Sequence, residues 1–287
     1  MKNVILISII LSGVFAQTSA QDTTVTKKTL TYKRVDGQEL NIFMFYSAAS
    51  QRRNDNVAIA LFHGGGWVFG DPAEFFEACK RYARMGYVTF SVDYRLCKKA
   101  DGSWPNPAIT PVESTKDARS AIRWLKSNAA MLKIDPKKIV VGGQSAGGQL
   151  ALSTVLLDSI NEKSDDLKVD PTPAALLLYS PAVNTMEAWI DMLLGSRRTE
   201  IWSISPYHHL RKGMPPVIMF RGDEDNQVLP YITQMFKGKM DAVGNYCEEH
   251  VYKGRKHYLA EGNKKYATYF DEEILGKTDA FLKKFKL

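Results

Sequence analysis

The run Gly142-Gly143-Gln144-Ser145-Ala146-Gly147-Gly148 leaves this chain few ways to fold. Ile139-Val140-Val141 before it is a short apolar run of the kind a buried strand shows, and the residues from Gln149 onward read as an apolar helix. A serine therefore stands at a sharp turn from strand to helix, in the Gly143-x-Ser145-x-Gly147 pattern of a nucleophile elbow. Gly143 and Gly147 leave room for a turn that a Cβ would obstruct. Ala146 opens the helix, so its backbone N–H is free to donate to an anion. The bland alternative is a glycine-rich turn that only closes a strand; the flanking strand and helix weigh against it.

Strand and helix alternate through the rest of the chain. Segments 28–35 and 39–46 alternate loosely and flank Asp36-Gly37, a hairpin turn signal. Apolar strands are expected at 57–62, 87–92, 175–179, 216–220 and 247–252. Asp71-Pro72-Ala73-Glu74 and Thr110-Pro111-Val112-Glu113 each start a helix with a cap, a proline and a box-closing glutamate. The first helix should end at Gly86. The second, with Ala118, Ile122, Leu125, Ala129 and Leu132 on one face, should stop at Asp135-Pro136. Further helices are expected at 228–243 and 266–285. This order implies an α/β fold: a mostly parallel central sheet, an N-terminal antiparallel hairpin, and helices on both faces. Residues 21–287 read as one domain, with 183–212 as a cap-like insertion.

The start of the chain is different. A basic Met1-Lys2-Asn3 precedes an apolar run at 4–15 and the small residues of Ala16 to Ala20. The run is shorter than the ~18 residues a spanning helix needs. It reads as a signal peptide cleaved after Ala20, so a secreted or periplasmic protein with no membrane span in the mature chain is expected. Of the 287 residues, three are cysteines, Cys79, Cys97 and Cys247, and buried free thiols are the plain reading. The net charge is +7, but the basic residues come in scattered pairs such as Arg52-Arg53 and Lys137-Lys138, so no nucleic-acid partner is expected. No Cys/His spacing suggests a metal, and no cofactor is implied.

In open α/β sheets, ligands sit at the carboxyl ends of the strands. Ser145, the loop His63-Gly64-Gly65-Gly66, the acids Asp223-Glu224-Asp225 and His257 all fall at that edge. A serine hydroxyl needs a base to take its proton, most often a histidine held by a carboxylate. Of five histidines, His63 belongs to the glycine loop, His208 and His209 precede the acid loop, and His250 lies inside a strand. His257 lies after the last strand and completes the order serine, acid, histidine. Only one of the three adjacent acids can point at it.

At this point the chain resembles the α/β-hydrolase esterases and lipases, near the hormone-sensitive-lipase-like and the secreted acetyl or feruloyl esterases. His63-Gly64-Gly65-Gly66-Trp67, Asp93-Tyr94-Arg95-Leu96, Ile134-Asp135-Pro136, Gly143 to Gly148 and Gly222-x-x-Asp225 carry the likeness. The resemblance implies Asp225 as the acid beside Ser145 and His257, with the amides of Gly65, Gly66 and Ala146 as the oxyanion hole. Arg221 and Tyr258 depart from the family's usual histidine and small residue. Asp93 and Arg95 are expected to pair their charges and hold the glycine loop.

Three functions compete: a serine esterase, a small amidase or peptidase of formamidase type, and an inactive binding protein. The first is favoured because serine, histidine, acid and oxyanion loop are all retained; a lipase is its close rival. The substrate is expected to be an acetyl or feruloyl ester of a sugar or polysaccharide. Trp67, Trp104, Trp189 and Trp202 are candidates to lie near the site, Trp67 as a substrate contact.

Overall fold

The computed structural model describes residues 24–260 and 271–287. The proposed signal peptide and residues 266–270 of the expected last helix lie outside that range. Strands β1 (Val25–Val35), β2 (Gln38–Ser47), β3 (Asn56–Phe62), β4 (Val88–Val92), β5 (Ile134–Gln144), β6 (Ala175–Tyr179), β7 (Val217–Gly222) and β8 (Cys247–Tyr252) form one sheet in the order β1-β2-β4-β3-β5-β6-β7-β8. β1, β2 and β4 pair antiparallel; every pair from β4 through β3 to β8 is parallel. Asp36 and Gly37 both have positive φ, the requirement of a tight I′ turn between β1 and β2.

The central strands read as unbroken apolar runs because both of their faces are covered. In β3, Ala58, Ala60 and Phe62 face one core while Ile59 and Leu61 face the other. β7 repeats this, with Val217 and Met219 opposite Ile218 and Phe220. The first core takes α2 (Pro111–Ser127), the short α3 (Ala129–Leu132), α4 (Ala146–Leu156) and α7 (Pro230–Ala242). The second takes α1 (Phe76–Arg84) and α8 (Glu272–Lys284). Between β6 and β7 lie α5 (Ala188–Leu194) and the short α6 (Pro206–His209).

Both sequence-read capping boxes are present, but the one at Asp71 opens a 3-10 turn, Pro72–Phe75, before α1. The other departure is at Asp135-Pro136. These residues do not stop a helix; they lie inside β5. The helix has already ended at Leu132, with Lys133 left-handed at φ 57°. Pro136 is tolerated there because the β3–β5 register shifts between Asn56 and Ala58, so its missing N–H interrupts no regular ladder.

Candidate active site

Ser145 joins β5 to α4 in a strained conformation, φ 56° and ψ −118°. Its N–H donates to the Tyr179 carbonyl at 3.0 Å, and its carbonyl accepts from Gly148, Gln149 and Ala182. The neighbouring glycines are required by close approach. A Cβ on Gly143 would strike the Gly147 carbonyl, and one on Gly147 would strike those of Phe62 and His63 at the end of β3. A Cβ on Gly148 would lie 2.6 Å from Pro181. The elbow is thus wedged between β3 and the loop after β6, and the strain at Ser145 is held by packing.

The glycine loop leaves the end of β3 beside the elbow. Gly65 and Gly66 have φ 107° and 60°, and Trp67 continues at 59°. Among the described residues, the Gly65 and Gly66 amides donate to no protein acceptor. Ala146, the first residue of α4, has no acceptor within its helix. Trp67 lines the cavity but is fully buried, and it donates its indole N–H to Gln149 Oε1 at 3.2 Å, so that donor is not available to a ligand.

The expected Asp93–Arg95 pairing is not what holds this loop. Arg95 binds Asp117 bidentately at 2.8 Å and reaches Asp36 and Glu162 as well. Asp93 instead accepts from the Tyr94 amide at 2.9 Å, and burial pushes its carboxyl up to about 6. The residue between them does the holding. Tyr94 Oη donates toward the carbonyls of His63 and Gly64, at 2.9 and 3.3 Å, and its ring stacks on His63 at 4.3 Å. Buried Arg95 finds its carboxylates across the sheet edge instead, and half-buried Asp93 is left with a backbone amide.

Of the three adjacent acids, Asp225 is the one against His257. Its Oδ2 and Oδ1 lie 2.9 and 3.1 Å from His257 Nδ1, and both side chains are 1% exposed. Asp225 Oδ1 also accepts from the amides of Gln227 and Val228. Asp223 and Glu224 are exposed, and Asp223 takes the Gly254 amide at 2.6 Å. The Glu224 amide donates to the Arg255 carbonyl. These bonds extend the β7–β8 pairing into the two loops and bring Asp225 opposite His257. Gly222 is required at this crossing, because a Cβ there would strike the Arg255 carbonyl.

A cavity of about 670 Å³ opens at this edge, and Ser145, Gly65, Gly66, Trp67 and His257 all line it. No direct Ser145–His257 hydrogen bond is present among the described residues; such bonds are often long before substrate binds. Trp189 lines the cavity too, its ring 5.5 Å from Trp67 and about 3.2 Å from where a Gly66 Cβ would sit. Trp104 and Trp202 do not line it. Trp104 sits edge-on to Phe69, a lining residue, at 5.9 Å, and Trp202 packs on His208 at 3.8 Å. Glu187, Asn226, Gln227, Leu229 and Tyr258 are lining residues that sequence reasoning missed. Closeness to Asp225 or His257 in the chain could have found Asn226, Gln227 and Tyr258; nothing local marks Leu229 or Glu187.

Fold and site together define the class: this is an α/β-hydrolase of the esterase type. More narrowly, the chain belongs to the BD-FAE family, whose model matches residues 44–240. It is similar to esterase 2 of Thermogutta terrifontis. The structure of that enzyme phosphoramylated by tabun matches with a TM-score of 0.80 and 33% identity over 90% of this chain and 94% of the other. The propionate-bound form matches with a TM-score of 0.79 and 32% identity, over 90% and 94%. Among curated proteins, Lipase 2 of Moraxella sp. strain TA144 is 33% identical over 125 residues, 42% of this chain and 27% of the lipase. Carboxylesterase NlhH of Mycobacterium tuberculosis is 37% identical over 103 residues, 34% of this chain and 28% of that protein. The chain therefore matches only about a quarter of the length of these two relatives.

Proposed function

We propose that this protein hydrolyses carboxylic esters through Ser145, His257 and Asp225, by way of an acyl-enzyme. One observation carries the reading: a buried Asp225–His257 pair opens onto the same cavity as a serine held at an elbow. His257 Nε2 takes the Ser145 proton as Oγ attacks the ester carbonyl. The Gly65, Gly66 and Ala146 amides stabilise the oxyanion, each such donor being worth ~10²–10³ in rate. His257 then protonates the departing alcohol, and water repeats the cycle on the acyl-enzyme. Asp225 fixes the imidazole tautomer and stabilises the imidazolium.

The acyl group is proposed to be short, acetyl above all, or feruloyl, on a carbohydrate outside the cytoplasm. The likeness to an esterase seen with propionate and with butyrate supports a short acyl group. The cavity supports a sugar alcohol, since Asn184, Asn226 and Gln227 supply hydrogen-bonding groups beside the half-exposed Trp189. Residues 183–212 act in this reading as a cap, which delivers Trp189 and Glu187 to the cavity. The test has two parts. A fluorophosphonate should label wild type and not Ser145→Ala. Acetylated xylan, a feruloylated oligosaccharide, tributyrin and a long-chain triglyceride are then compared by acid released; cleavage of the long-chain lipid alone would replace this reading with a lipase.

A further inference from the structure

The cavity wall carries a charge that ester hydrolysis itself does not use. Glu187 precedes α5 and lines the cavity with Trp189. Its Oε2 accepts the Trp189 indole N–H at 2.9 Å, and its backbone carbonyl accepts from Ile190 and Asp191, so the carboxylate is held in place. Among the described lining residues Glu187 is the only carboxylate, and no lysine or arginine joins it. Its hydrogen-bond partner is a neutral indole. Among the described residues the charge therefore meets no cation across the cavity, although the chain as a whole carries +7.

We propose that Glu187 makes this site select esters by charge, favouring neutral and cationic alcohols and rejecting anionic ones. The proposal rests on the esterase reading above and concerns the alcohol that the site receives. A like charge brought into a partly enclosed cavity meets less screening than on an open surface. Specificity obtained in this way is a repulsion against the wrong substrate as much as an attraction for the right one. Trp189, anchored by the same carboxylate and lying over Gly66, supplies the flat apolar wall beside it. A cationic alcohol would meet both the carboxylate and the ring face.

The test compares kcat/KM for three acetate esters that differ in the charge of the alcohol: choline, its neutral isostere 3,3-dimethylbutanol, and 3-hydroxypropanoate. Wild type should prefer them in that order, with the anionic ester at least about tenfold below the neutral one. Glu187→Gln keeps an acceptor for Trp189 and should bring that ratio to within about threefold. Trp189→Phe removes the indole donor but keeps the carboxylate, and should retain the discrimination; a purely structural Glu187, acting through Trp189, requires the reverse. Added salt should narrow the wild-type ratio and leave that of Glu187→Gln nearly unmoved. Equal ratios in wild type and Glu187→Gln overturn the proposal while leaving the esterase intact. If wild type cleaves none of the three esters although a fluorophosphonate labels it at Ser145, this inference fails alone; if it is also unlabelled, the esterase reading fails with it.

Discussion

Ser145 is held at positive φ by neighbours that do not depend on its hydroxyl. Ser145→Ala should therefore fold as wild type and lose ester hydrolysis by roughly 10⁴–10⁶-fold, checked by kcat alongside circular dichroism. The acids separate in the same way. Asp225→Asn removes the charge beside His257 and should lower kcat by roughly 10⁴-fold. Asp223→Asn should change kcat far less, because Asp223 holds a loop amide. If Asp223→Asn proves the worse enzyme, the acid has been misassigned. Asp93 gives a pH prediction. Burial raises its carboxyl from 3.8 to about 6 in the folded state, so folding favours the protonated form. Its contribution is best below about pH 4 and is lost as pH rises through 6. Asp93→Asn should thus be more stable than wild type by about 1–3 kcal/mol at pH 8, with the gain shrinking at pH 5, as read by urea unfolding.

At the scale of elements, the glycine loop proposed to supply the oxyanion hole is held by a residue from another strand's end. Tyr94 follows β4 and holds the carbonyls of His63 and Gly64, while its ring covers His63. Tyr94→Phe keeps the ring and removes the hydroxyl. It should cost about 1–2 kcal/mol and, if the Gly65 and Gly66 amides form the proposed oxyanion hole, lower kcat more than it raises KM. An unchanged kcat would place the oxyanion hole elsewhere. The elements themselves were legible wherever periodicity or caps spoke. β6 and β8 match their expected bounds, and the expected helix face of Ala118, Ile122 and Leu125 is buried. Asp135-Pro136 misled because a proline reads as a helix stop, whereas the register shift that admits it belongs to a neighbouring strand.

At the scale of the molecule, a buried charge cluster ties the hairpin to the parallel sheet. Asp117 of α2 is fully buried and binds Lys33 of β1 at 2.6 Å and Arg95 after β4 at 2.8 Å. Glu162 joins both cations; burial would raise its carboxyl, but Lys33 and Arg95 hold it at about 2. Its contribution is present above the usual carboxylate range and is lost only as pH falls toward 2. Asp117→Asn would leave two buried cations short of charge and should destabilise the fold by about 3–5 kcal/mol, measured by denaturant unfolding. Sequence gave no hint of this cluster beyond Arg95, because its members are separated along the chain and meet only through the sheet.

Chain-local physics was enough to foresee the elbow, the hairpin turn, the caps and the strand–helix alternation, since each depends on residues within a few positions of one another. The same local reading narrowed the histidines to one and the acids to three adjacent residues. Family resemblance pointed to Asp225 among those three; the physical reason for that choice, and every contact across the sheet, required the folded chain. Asp225 faces His257 because the β7–β8 pairing runs on into both loops. Tyr94, not the charges beside it, holds the glycine loop because Arg95 finds Asp117 first. Trp189 and Glu187 reach the cavity, and Trp202 does not, because 183–212 packs on α2 and α4, with Arg197 on Glu113 and the Ile204 carbonyl on Gln149. A residue's type says what it can do; its neighbours in space, which no local pattern encodes, decide what it meets.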